Sequence, residues 1–202
     1  MKKSIISVPK LESFADIKSF AIGKIDITNW AEFPHKPKCE FAIAYTTERL
    51  LIRFEVEEPH VIGRCTQMHG EVYEDSCVEF FVREPLSDHY FNFEINCIGT
   101  ILAARRKSRT EKDYLSDEIM QIISVKPSLP AGIPYEGSGR WSIDLEIPFK
   151  ALGLKLQPTL LEANLYKCGD KTPVPHFVSW SPIDTPTPDF HRPEYFGMLE
   201  FK

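Results

Sequence analysis

"DSCVEFFVRE", residues 75–84, decides the fold. Taken two by two, Val78, Phe80 and Val82 fall on one side and Cys77, Glu79, Phe81 and Arg83 on the other, the side-chain period of a β-strand. Glu79 interrupts what would otherwise be an apolar run, so the strand has two unlike faces. The alternation recurs in both directions along the chain. "YFNFEINC", 90–97, sends Phe91, Phe93, Ile95 and Cys97 inward against Tyr90, Asn92, Glu94 and Asn96. "LLIRFEVEE", 50–58, sets Leu50, Ile52, Phe54 and Val56 against Arg53, Glu55 and Glu57, and it follows "CEFAIAY", 39–45, through a turn at "TTER". "RWSIDLEIP", 140–148, buries Trp141, Ile143, Leu145 and Ile147; "LEANLYKC", 161–168, separates Leu161, Ala163 and Leu165 from Glu162, Asn164 and Tyr166. Segments with one apolar and one polar face, spread over the whole chain, are what stacked antiparallel sheets require. The expected fold is all-β: an antiparallel, jelly-roll-like β-sandwich with short helical pieces at "PFKALGL", 148–154, and "SDEIMQII", 116–123.

With 202 residues, 43% of them hydrophobic, the chain can bury one substantial core, and a single domain over 1–202 is expected. The balance of 24 Lys and Arg against 29 Asp and Glu, net −5, provides no general positive field, so neither nucleic acid nor an anionic membrane is an expected partner. "AARRKSR", 103–109, is locally basic and reads as a solvated loop. No run approaches the roughly 18 apolar residues of a membrane span. Cys39, Cys65, Cys77, Cys97 and Cys168 follow no regular spacing, which favours reduced thiols over a disulfide framework. The N-terminal "MKKSIISVPKL" breaks at Pro9, short of a secretory core, so the expected compartment is the cytoplasm, or the periplasm or exterior had a leader already been removed. The oligomeric state stays open.

If 76–83 and 90–97 pair across "EPLSDH", their polar faces coincide, and Glu79, Arg83, Asn92, Glu94 and Asn96 share one patch. Cross-strand neighbours stand about 5 Å apart and successive residues on one face roughly 6.6 Å apart, the scale of a sugar ring. An outward Glu or Asn on a strand is ordinarily solvent-facing, so the patch alone does not make a site. Tyr73, at the strand's entrance, and Trp180, in a proline-rich stretch from Gly169 to Gly197, are the available aromatic platforms. That stretch carries few strand signals, while its aromatic content argues against disorder. Trp141 and Trp30 suit packing; for Trp180, ligand contact and loop anchoring both remain open.

"VYEDSCVEFF", "YFNFEINCIGT", "RWSIDLEIP", "NLYKCGD" and "SWSPIDTPTPDFHRPEYFG" stand in an order and spacing that resemble the carbohydrate-binding module family 9-like proteins, β-sandwich domains related to the sugar-binding modules of xylanases. The resemblance runs from about Phe41 to Phe201. It implies non-catalytic binding of a saccharide, the terminal sugar of a plant-type oligo- or polysaccharide being held between two aromatic rings and fixed by polar side chains of the sheet. On the matching positions the rings are Tyr73, where the xylanase modules have tryptophan, and Trp180; the carboxylate is Glu79 and the amide Asn96. Glu94 replaces a basic residue and Phe177 an amide, so the ligand need not be that of the xylanase modules. His191 and Arg192, from the family-like ending, either close one side of the site or brace the loop. The resemblance also implies calcium, but Asp75, Asp113, Asp117, Asp144 and Asp170 are scattered, and no metal ligand is assigned.

Rival functions come from other classes. Glu79 and Glu94 fall near the ~5 to 5.5 Å separation of a retaining glycosidase. His60, Cys65, His69 and Cys77 would supply zinc donors, though their spacings match no compact pairing. A cysteine relay using Cys77, Cys97 or Cys168 is weaker, since buried thiols are usually inert. A protein-interaction module is the remaining alternative.

Overall fold

Period-two stretches become strands because each buries one face while its backbone pairs on both sides. The computed structural model describes residues 3–19 and 23–202, and among these the strands are β1 (Ile5–Val8), β2 (Gly23–Lys24), β3 (Ile27–Thr28), β4 (Lys38–Tyr45), β5 (Arg49–Gly63), β6 (Cys77–Arg83) and β7 (Tyr90–Asn96). They continue as β8 (Ile101–Arg106), β9 (Lys112–Tyr114), β10 (Ser124–Pro127), β11 (Tyr135–Pro148), β12 (Leu160–Cys168), β13 (Phe177–Ser179) and β14 (Gly197–Phe201). One sheet has the order β1-β14-β12-β6-β7-β8-β9, with β13 on β12 and β3 on β13; the other runs β10-β11-β5-β4-β2. β1 is parallel to β14, and the other strand pairs are antiparallel. The two expected helical pieces are short: α1 (Asp117–Met120) and a 3-10 turn at Phe149–Leu152, which Gly153 ends at φ 72°; further 3-10 turns lie at Phe14–Ser19, Val72–Glu74 and Pro193–Tyr195. No helix among the described residues is long and apolar enough to cross a membrane.

The faces fall as the alternation requires. Val78, Phe80 and Val82 of β6 and Phe91, Phe93 and Ile95 of β7 pack with Ile52 and Phe54 of β5 and Trp141, Ile143 and Leu145 of β11 in one cluster between the sheets. Each such side chain contributes about 1.5–3 kcal/mol by leaving water. The opposite face of β6, β7 and β12 differs from expectation, because nearly all of it is buried, its polar side chains included. Phe81, Tyr90 and Tyr166 are buried there beneath Trp30, Phe190 and Phe196, forming a second apolar cluster. Phe190 stacks on Tyr166 at 4.1 Å between ring centroids.

Two segments departed from their sequence reading. "AARRKSR" is not simply a solvated loop: Ala103 to Arg106 finish β8, and Arg106 is buried, while Lys107 to Arg109 stay exposed. A six-residue alternation that ends in two arginines looks like a charge run until its register against β7 is known. The proline-rich stretch after Gly169 contains β13, whose three residues pair with Tyr166, Lys167 and Cys168. Such a strand is too short to show a period.

Inside the sandwich, Glu58 and Lys167 follow the inward phase of their strands. The Lys167 ammonium lies 3.0 Å from Glu58, and Trp141 Nε1–H donates to the same carboxylate at 2.8 Å. Lys167 also donates to the Cys168 carbonyl and lies 2.8 Å from His176 Nε2. Burial and the Lys167 charge hold His176 down at about 2, so the ring is neutral and serves as an acceptor.

Candidate binding site

The polar half of the outer face opens into a hollow of about 160 Å³. Its floor comes from adjacent strands: Glu79 on β6, Glu94 on β7, Leu102 and Arg106 on β8, and Cys168 on β12. Glu79 and Glu94 are register partners, so their carboxylates face the same space, each on a residue 3% exposed. The side walls are Tyr73 with Asp170, Phe177, and the segment from Pro188 to His191; Arg109 and Lys112 stand at the β8–β9 turn.

Each wall is tied down. Tyr73 sits in a 3-10 turn whose carbonyl accepts from Asp170 N–H at 3.1 Å, while Lys171 N–H donates to the Glu74 carbonyl at 3.0 Å, joining the turn to the segment after β12. Antiparallel pairing of Phe177 with Cys168 turns the Phe177 side to the hollow. The Phe177 ring packs edge-on against Trp30 and Phe33. His191 Nδ1 and Tyr90 Oη are hydrogen-bonded at 2.9 Å.

Electrostatics set the chemistry of the floor. Burial, then the facing Glu94, holds Glu79 well above the usual carboxylate range. The Cys168 thiol donates to it at 3.1 Å. Glu94 is pushed up to about 7 by burial, against the pull of Arg106 at 3.8 Å and an Asn92 amide donating at 2.6 Å. Burial, then Glu74, raises Asp170 to about 6. Burial and the cations Arg106, Arg109 and Lys112 bring His191 down to about 3, so it is neutral. Two carboxyl groups that cannot both ionise freely can accept hydroxyl protons and also donate one.

The expected site residues are only partly gathered here. Tyr73, Glu79, Glu94 and His191 line the hollow. Asn96 lies on the same face, but its amide donates to the Cys65 carbonyl (2.8 Å) and Asp75 (2.9 Å) and accepts from Thr100 N–H (2.9 Å), bracing the loops beneath the rim. Arg192 turns aside to Glu194, 2.6 Å away. Trp180 requires correction: it is 8% exposed, belongs to the cluster between the sheets, and packs against Phe41 at 6.0 Å. A Cβ on Gly197 would meet its ring at 2.7 Å, so the glycine is what makes room for it. The two-residue period of β13, Phe177 out and Val178 in, sends Trp180 inward and leaves Phe177 as the ring facing Tyr73's side. Phe177, Asp170, Arg106 and Cys168 were not expected as lining; the signals were the pairing of "HFVS" with "LYKC" and the phase of β8.

Metal donors gather differently from the sequence expectations. His69 stacks on Tyr114 and Cys65 bonds to the Gln67 carbonyl, away from buried Cys77, so the proposed zinc set does not form. The five aspartates do not converge either: Asp75 accepts from backbone N–H of Arg64 and Cys65, and Asp144 pairs with Arg53. Among the described residues the group of close donors is Cys77, Glu79 and Cys168, within 4.8 Å of one another. Calcium takes six to eight oxygens, which two thiols and one carboxylate do not offer. Burial raises Cys77 to about 12 and Cys168 well above its ordinary value, keeping both thiols protonated.

Residues 8–201 match the family model for carbohydrate-binding family 9. Among solved structures, a protein from Bacteroides uniformis ATCC 8492, provisionally named carbohydrate-binding, is 32% identical over 100% of both chains, with TM-score 0.92. A carbohydrate-binding module family 9 from Caldicellulosiruptor kristjanssonii in complex with glucose is 15% identical, covering 98% of this chain and 96% of that one, with TM-score 0.61. The module from the same organism in complex with cellotriose is 14% identical, covers 98% and 94%, and has TM-score 0.59. No curated protein matches the sequence.

Proposed function

The chain belongs to carbohydrate-binding family 9, a family of non-catalytic sugar-binding modules, and we propose that it holds the terminal sugar of an oligo- or polysaccharide in the hollow over Glu79 and Glu94. One observation carries the reading: paired carboxylates form the floor of a recess with aromatic rings, Tyr73 and Phe177, in its walls. About 160 Å³ holds roughly five waters by liquid volume, which suits one ring rather than a length of chain. Hydroxyl hydrogen bonds to Glu79 and Glu94 contribute about 1 kcal/mol each. A ring face removing about 50 Å² of apolar surface from water adds a little over ~1 kcal/mol. A related module in complex with glucose supports a sugar of that size.

A larger groove of about 340 Å³ on the other sheet suits a sugar less well. Its charged walls include Arg140, which donates to Glu57 at 3.0 Å, and its aromatic residue, Trp141, is 2% exposed and packed in the core. Calorimetric titration across a panel of oligosaccharides tests the proposal. Wild-type protein is expected to bind at least one, and Tyr73→Ala and Glu79→Gln each to weaken it about tenfold, about 1.4 kcal/mol. Equal binding by all three proteins would refute the placement.

A further inference from the structure

The hollow is not uniformly acidic, and its polarity says what kind of sugar it takes. This inference rests on the saccharide reading above. The charged groups divide by position. Glu94 is answered by Arg106, which is buried and also donates to Asn92 (2.7 Å) and to the Arg109 carbonyl (2.7 Å). Asp189 lies 4.0 Å from Arg192. On the opposite wall the β8–β9 turn presents Arg109 and Lys112, both exposed, and neither has an ion partner within 4.0 Å among the described residues. Lys112 lines the hollow, with its Nζ 5.0 Å from the Tyr114 ring centroid.

We propose that the ligand is an acidic saccharide, whose hydroxyls meet Glu79 and Glu94 on the floor and whose carboxylate or sulfate group meets Arg109 and Lys112 at the rim. The guanidinium fork of Arg109 matches either anion in bidentate fashion, and Lys112 adds a point charge. Asp170 and Asp189 are the acidic wall groups that oppose them. Burial and the facing Glu94 raise the proton affinity of Glu79, which favours its neutral form and lowers the repulsion an anion would feel there. The chain's overall charge of −5 does not decide the matter. At physiological ionic strength charges beyond about 8 Å are largely screened, so the two rim cations act on a bound anion and the remote acidic surface does not.

The test is an array of glycans matched in backbone and differing in substituent, with neutral, amino, uronate and sulfate-ester members in the common sugar configurations. It is probed with wild-type protein and with the double variant Arg109→Gln, Lys112→Gln at about 0.05 and 0.5 M salt. Expected is at least tenfold tighter binding of a uronate or sulfate member than of its neutral partner, a preference that shrinks at high salt and falls to near unity in the double variant. The uronate and sulfate members separate the two anions. Neutral or amino members bound as tightly as the acidic ones, or a preference that survives the double substitution, would overturn this inference and leave sugar binding standing. No binding to any member would overturn both.

Discussion

Glu79 and Trp180 show how much rests on a single residue's phase. Glu79 keeps its carboxylate on the outer face of β6 at 3% exposure, beside Glu94 and under a thiol. Its raised proton affinity has a sign that can be worked through. A carboxyl whose folded affinity exceeds its unfolded one binds the extra proton in the native state, so its contribution is present below about pH 4.5 and is lost as pH climbs toward the folded value. The melting temperature of wild-type protein relative to Glu79→Gln should therefore fall as pH rises above about 4.5. A difference that stays flat or rises would contradict the raised proton affinity of Glu79. Trp180 supplies the second prediction at this scale. Because its ring fills space between the sheets, Trp180→Ala is expected to destabilise the fold by about 3–5 kcal/mol in urea unfolding. Phe177→Ala should instead weaken saccharide binding several-fold. Loss of binding with unchanged stability in the tryptophan variant would restore it as a platform.

Elements decide what single residues cannot. The alternation in β5, β6, β7, β11 and β12 was legible because each strand is long enough to display its period, and their facing pattern required two sheets. β13 was not legible, since three residues flanked by prolines carry no period of their own; only pairing with β12 gives them a phase. The same limit hid part of the site. Tyr73, Glu79, Glu94 and His191 follow from strand phase and resemblance, whereas Asp170 and Phe177 reach the hollow through tertiary pairing. β5 and β12 also bring together Glu58 and Lys167, an ion pair fully within the sandwich. Removing one partner leaves the other as an uncompensated buried charge, so Lys167→Met is expected to cost about 3–5 kcal/mol by chemical denaturation. A change no larger than the ~0.5 kcal/mol typical of surface substitutions would show that water reaches the pair.

At the scale of the whole molecule, one sheet does two tasks with its two faces. The inner face meets the other sheet, while the outer face is divided between an apolar cluster roofed by the segment up to Phe196 and a polar recess. The roof and the recess share walls, because Phe177 and Phe190 belong to both. Rigidity at the site thus comes from packing beside it, which holds the carboxylates and rings in place before a ligand arrives. The most direct measurement is a crystal structure of the protein soaked with a saccharide that it binds in solution. The account predicts a sugar ring seated in the recess, with hydroxyls within hydrogen-bond distance of Glu79 and Glu94 and a face toward Tyr73 or Phe177. A sugar seated instead in the groove beside Glu57 and Arg140, with the recess holding only water, would contradict it.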